Sequence, residues 1–137
     1  MSASREVIEK AVKDWNAGDL DAYMSMYAED ATLHGYGPDP IDKRGGAAFY
    51  GEMMSAFPGS QVTLHDVMEV GDQLVVRYVQ SGRHEGEFMG VAGTGRDFDL
   101  YGIVIDRHVD GRVVERHSAA DMLAVFEQLG TLPPLRG

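Results

Sequence analysis

Upstream of Pro58-Gly59 the apolar residues recur every three or four positions, and downstream of it they alternate. This change of period, from a helical to a strand repeat, constrains the fold more than any other feature of the chain. In the first part, Val7, Ile8, Ala11, Val12 and Trp15 share one face of a helix expected over residues 4–16. Asn16-Ala17-Gly18 stops it, because glycine adopts positive φ cheaply at a helix end. Asp19 then caps a second helix with the stripe Leu20, Tyr23, Met24 and Tyr27. A short strand over residues 31–36 and the breaker Gly37-Pro38-Asp39-Pro40 follow. A third helix is expected over residues 45–56, with Phe49, Tyr50, Met53 and Phe57 on one side.

In the second part, Val62, Leu64, Met68 and Val70 alternate with polar residues, as in a half-buried strand. Gly71-Asp72 turns the chain, and Leu74, Val76 and Tyr78 begin a strand running toward His84. A glycine-rich stretch over residues 85–95 leads to a strand over 96–107. Asp110-Gly111 is the strongest hairpin signal, since both central residues of that turn prefer positive φ. A strand over 112–119 and a short helix over 121–129 come next, closed by Gly130 and Pro133-Pro134. Helices segregated to one side of an antiparallel sheet make an α+β domain. With about three N-terminal helices across a strongly curved sheet, the expected form is a cone enclosing a pocket. The 137 residues suit one such domain, 1–137.

Composition narrows the chemistry. Twelve Lys and Arg against 22 Asp and Glu leave a net charge of −10, which argues against nucleic acid or an anionic membrane as partner. The absence of Cys removes disulfides, thiolate metal sites and a Cys nucleophile, and points to a reducing, cytoplasmic setting. No apolar run approaches the roughly 20 residues of a membrane span, and the N-terminus lacks a signal-peptide stretch. Gly90-Val91-Ala92-Gly93-Thr94-Gly95 has no following Lys and opens no helix, so it is no phosphate loop. None of the five His pairs at the i, i+4 spacing of a helical metal site, so no metal is expected.

Two clusters stand out. Thr32, His34 and Tyr36 share one strand face by period two, either as a solvent face or as a polar pocket lining. Arg116-His117-Ser118-Ala119-Ala120-Asp121 ends the last strand just before an apolar helix. Asp121 is read either as the cap of that helix or as a general base. A carboxylate at the mouth of an apolar pocket is a stronger base, because desolvation disfavours its charged form.

The ordered series of residues resembles the SnoaL-like polyketide cyclases, within the superfamily named after nuclear transport factor two. It begins with Trp15-Asn16-Ala17-Gly18-Asp19 and residues 27–30, then Phe57-Pro58 and Val70-Gly71-Asp72. It continues through Gly82-Arg83-His84-Glu85-Gly86-Glu87-Phe88-Met89-Gly90, Thr94-Gly95-Arg96 and Arg107. Asp110-Gly111-Arg112-Val113-Val114-Glu115, Asp121-Met122-Leu123 and Gln128-Leu129-Gly130 complete it. The resemblance implies a cone-shaped α+β barrel, dimeric or tetrameric through its sheet, with an apolar pocket and no metal or organic cofactor. It implies ring closure of a polyketide by intramolecular aldol condensation, with the Asp at the position of Asp121 taking the C–H proton. Close relatives instead hydroxylate polycycles. Many members carry Trp where this chain has His117.

The expected function is therefore cofactor-free proton abstraction next to a carbonyl in a small apolar, polyketide-like substrate. Asp121 is the expected base, with His117 and His34 as its catalytic companions. Trp15, Tyr23, Tyr36, Met53, Phe57, His84, Tyr101 and Arg116 are the expected pocket residues. A cofactor-free hydroxylase and a non-catalytic binder of small apolar ligands are the alternatives. A homodimer or homotetramer through the sheet is the expected assembly.

Overall fold

The computed structural model describes residues 3–131; the expected stop at Pro133-Pro134 lies outside them. Four helices and five strands follow in the order α1 (Ala3–Asn16), α2 (Leu20–Met24), β1 (Tyr27–His34), α3 (Lys43–Ala56), β2 (Gln61–Val70), β3 (Gln73–Arg83), β4 (Asp97–Val109), β5 (Arg112–Ala120) and α4 (Met122–Gln128). The fold is α+β, as the change of period implies.

The strands form one open mixed sheet in the order β1-β5-β4-β3-β2. Strands β2 to β5 are an antiparallel meander, and β1 joins its end parallel to β5. The β4–β5 turn places Asp110 at φ 52° and Gly111 at φ 78°, the positive values that an Asp-Gly hairpin demands. Along β4 the pleat sends Phe98, Leu100, Val104 and Asp106 inward, while Tyr101, Ile103 and Ile105 face out.

The helices cover the inner face. Ile8, Ala11 and Trp15 are the buried stripe of α1. The end of α1 is tied to β2 by Asn16, whose side chain donates to Val62 O at 3.1 Å and accepts from Val62 N at 2.7 Å. Asp19 caps α2 through Ala22 N at 3.0 Å, and Asp42 caps α3 through Gly45 N at 2.8 Å.

Two expectations at the start of the sheet are corrected. Tyr27 belongs to β1 and not to a helical stripe, because β5 captures it: Tyr27 pairs with Val113, and both side chains are fully buried. Tyr36 lies beyond β1, so it does not share a strand face with His34. Gly35 stands between them at φ 99°, and a Cβ there would lie 2.0 Å from Ser118 O. Only glycine fits so close to the neighbouring strand, and its positive φ breaks the alternation. His34 consequently pairs with Glu115 on the outer side, while Tyr36 turns inward onto Phe49 and Tyr50.

Candidate active site

The inner face of the sheet carries a buried charge pair. Arg116 on β5 lies opposite Asp106 on β4, and donates from Nε to Oδ1 at 2.7 Å and from Nη2 to Oδ2 at 2.8 Å. Both residues are buried, Asp106 completely. Such a pair persists in an apolar interior only when most of its hydrogen-bonding capacity is used. The third guanidinium nitrogen meets this condition: Nη1 donates to the hydroxyls of Tyr23 at 3.1 Å and Tyr50 at 3.2 Å. The Tyr27 ring lies 5.2 Å from the guanidinium carbon and adds a cation–π contact.

The phenols continue from there. Tyr23 and Tyr27 share a hydrogen bond at 3.1 Å, and Tyr50 shares a short one with Tyr36. Edge-to-face contacts fix the rings, with Tyr23 and Tyr50 at 5.1 Å and Trp15 against both at 5.2 and 5.7 Å. Burial raises the pKa of Tyr23, Tyr27, Tyr36, Tyr50 and Tyr78 above the ordinary phenol value, and Arg116 offsets this only in part. All five are therefore neutral donors near neutral pH. Burial works against the charge of Arg116, but Asp106 and the phenol oxygens hold it above its ordinary range.

Two adjoining cavities lie between the helices and the sheet and share Tyr50, Tyr78 and Gln80. The inner one reaches Arg116 past Trp15, Tyr23 and Val104. The outer one, about 260 Å³, is bounded by Tyr36, Phe49, Met53, Leu100 and Ala120. An apolar wall with a few convergent polar groups is the usual character of a small-molecule site, and this volume lies just under the roughly 300–1,000 Å³ that such sites span.

The structure thus brings Trp15, Tyr23, Tyr36, Met53 and Arg116 to the cavities. Other expected residues lie elsewhere. Phe57 is a core residue packed on Phe98 at 4.3 Å and on His84 at 5.3 Å. His84 is fully buried and organises the glycine-rich connection, its Nδ1 accepting from Thr94 N at 3.2 Å. Tyr101 is 56% exposed on the outer face. His34 and His117 also lie on the outer side, stacked with ring centroids 4.3 Å apart. His108, beside its hairpin, is half-buried, and neither ring nitrogen has a hydrogen-bond partner. Desolvation consequently lowers its pKa.

Asp121 displays the capping role of the two considered. It is exposed, and its Oδ1 accepts from Ala124 N at 3.0 Å. It borders a shallow outer groove with Arg77, Tyr101 and Ile103, whereas its neighbours Ala120 and Met122 line the cavity.

Asp106, Tyr27 and Tyr50 were missed as site residues by sequence reasoning. A signal for Asp106 existed in the Asp110-Gly111 hairpin, from which the strand register can be counted. An irregularity between Arg107 and His108 shifts that register, so a regular count sets Asp106 opposite Glu115 instead of Arg116.

Known proteins share this arrangement of chain. Aklanonic acid methyl ester cyclase DauD of Streptomyces sp. (strain C5) is 26% identical over 135 residues, covering 95% of this chain and 83% of the relative. The crystal structure of IdmH from Streptomyces antibioticus, a candidate polyketide cyclase, is 31% identical with a TM-score of 0.81 and covers 93% of this chain and 99% of its own. AclR from Streptomyces galilaeus, a candidate hydroxylase, is 26% identical with a TM-score of 0.87, covering 95% and 97%. The profile described as SnoaL-like polyketide cyclase matches residues 5–129, and the chain belongs to that family.

Proposed function

We propose that the protein is a cofactor-free cyclase acting on a small apolar, polyketide-like substrate held between the sheet and the helices. The observation that carries this reading is the line of donors from Arg116 through Tyr50 to Tyr36. Arg116 Nη1 donates to Tyr50, which bonds to Tyr36 at the wall of the outer cavity. With Tyr50 donating to Tyr36, the Tyr36 hydroxyl proton is free for a substrate oxygen. A buried cation behind two neutral phenols stabilises negative charge developing on that oxygen.

In the reaction, a C–H proton next to the polarised carbonyl passes to water at the open mouth of the cavity or to Asp121, and the enolate carbon attacks a second carbonyl of the same molecule. The resulting alkoxide then takes up a proton. No oxidant or reductant is required. Asp121 serves as the proton acceptor in this scheme only when its side chain turns from the outer groove toward the cavity. The proposal accordingly rests on Arg116 and the phenols. His34 and His117, on the outer side, are given no catalytic part.

The likeness to AclR favours a second reading, hydroxylation without a bound cofactor, in which oxygen adds to the same enolate carbon to give a hydroperoxide and an external two-electron reductant such as a thiol splits it to the alcohol and water. Aklanonic acid methyl ester, named for the Streptomyces relative, is a suitable probe for both. Ring closure supports the cyclase, and oxygen uptake with hydroxylated product supports the hydroxylase. Saturable binding without turnover reduces the protein to a binder, and absence of binding overturns the choice of ligand class. Tyr36→Phe is expected to lower kcat by about 10²–10³-fold with little change in KM, as loss of an oxyanion donor does.

The proposed assembly is a homodimer or homotetramer through the outer sheet face, where Tyr101, Ile103 and Ile105 are exposed. The proposed setting is the cytoplasm. Among the described residues no helix is long and apolar enough to cross a membrane.

A further inference from the structure

Three potential metal ligands meet on the outer side of the sheet, away from the cavity. His34 ends β1, and the parallel pairing of β1 with β5 sets it directly beside His117. Glu115, two residues before His117 on the same pleated face, completes the group. One ligand atom from each lies within 4.8 Å of the other two. His34 Nε2 is 3.0 Å from Glu115 Oε2, and His117 Nε2 is 3.8 Å from the same oxygen. The two imidazoles are stacked 6° from parallel. Arg107 approaches the other carboxylate oxygen, Oε1, at 3.6 Å and leaves Oε2 to the histidines.

We infer that His34, His117 and Glu115 form a site for a divalent transition-metal ion of the zinc type. A tetrahedral zinc ion with bonds of about 2.0–2.1 Å holds its ligand atoms roughly 3.3 Å apart, between the two distances here. Two imidazoles and one carboxylate are a donor set suited to zinc and its neighbours, and unsuited to calcium or magnesium. The His117 side chain is 55% exposed in a single chain and has room to rotate inward; it lies beside Ile105 on the proposed assembly face, so the fourth coordination position falls to water or to a group of a second copy. The ion would tie the edge strand β1 to β5. Arg116 lies between Glu115 and His117 in sequence but points to the opposite face, so the site is independent of the proposed cyclase reaction.

The test is calorimetric titration of zinc chloride into the untagged, chelator-treated full chain, with the unfolding temperature measured in parallel. One equivalent is expected to bind saturably and raise the unfolding temperature. Affinity is expected to fall at least about tenfold in His117→Ala and in Glu115→Gln, since even outer-shell changes cost that much. His65→Ala, on β2, is expected to leave it unchanged. Circular dichroism checks that each variant is folded, and cobalt(II) absorption of the wild type reports the coordination number and geometry of the bound ion. Lack of saturable zinc binding overturns the inference. So does binding that survives both His117→Ala and Glu115→Gln, because the ion then sits on other residues.

Discussion

Asp106 and Arg116 face each other across β4 and β5 and are joined by two hydrogen bonds in a fully enclosed setting. Removing one partner leaves the other as an uncompensated buried charge. Asp106→Asn is therefore expected to destabilise the fold by about 3–5 kcal/mol in chemical denaturation. Replacing both residues, as Asp106→Leu with Arg116→Met, is expected to cost less than the sum of the single changes, because no charge is stranded. Strict additivity would count against the pair as a unit. Activity should be lost in the double variant even where stability returns, since Arg116 no longer backs the phenols.

The phenols make alkaline stability a readout of the same cluster. Tyr23, Tyr27, Tyr36, Tyr50 and Tyr78 have folded-state pKa values raised by burial. In the unfolded chain they ionise near about pH 10. Above that pH the native state binds more protons than the unfolded one, so stability falls as pH rises. The stabilising contribution is complete below about pH 10 and is lost toward the folded pKa values. Urea unfolding between pH 8 and pH 11, followed with tyrosinate absorbance, should show phenolate appearing together with unfolding. Phenolate formed by these residues in a still-folded protein would refute their burial as neutral donors.

Much of this arrangement is legible in the sequence. The change of period at Pro58-Gly59 yields the α+β order, and Asp110-Gly111 yields the β4–β5 hairpin with its positive φ values. Trp15, Tyr23 and Met53 are recognisable as inward-facing residues, because each lies on the apolar stripe of a helix. What spacing within one element does not reveal is which strands pair. Strand β1 lies parallel beside β5, more than eighty positions away, and this brings His34 to His117. A search for metal ligands by local spacing passes over such a pair. The register irregularity at Arg107 hides Asp106 in the same way, and the φ of Gly35 separates His34 from Tyr36.

Asp121 offers a clean separation of capping from catalysis. Asn retains the side-chain oxygen that accepts from Ala124 N, whereas Ala removes it. Asp121→Ala is expected to cost about 1 kcal/mol of stability, and Asp121→Asn only a small part of that. If the donors around Arg116 dominate the chemistry, Asp121→Asn retains most of its turnover of aklanonic acid methyl ester. A fall in kcat of several hundredfold at unchanged melting temperature would restore Asp121 as the base.

Gly35 links fold to function most directly. Its φ is 99°, and a side chain would collide with the Ser118 carbonyl at 2.0 Å. Gly35→Ala is expected to cost at least about 1–3 kcal/mol for the backbone alone, with steric displacement of β5 in addition. The displacement acts on both faces: Tyr36 would retreat from Tyr50, and His34 would move relative to His117. The variant should therefore lose activity beyond what its remaining folded fraction explains, and should bind zinc more weakly. Gly37→Ala provides the control, because a Cβ there meets nothing within 4 Å and its φ is not positive. Equal effects of the two substitutions on kcat, measured on fully folded protein, would show that the Gly35 turn does not position Tyr36.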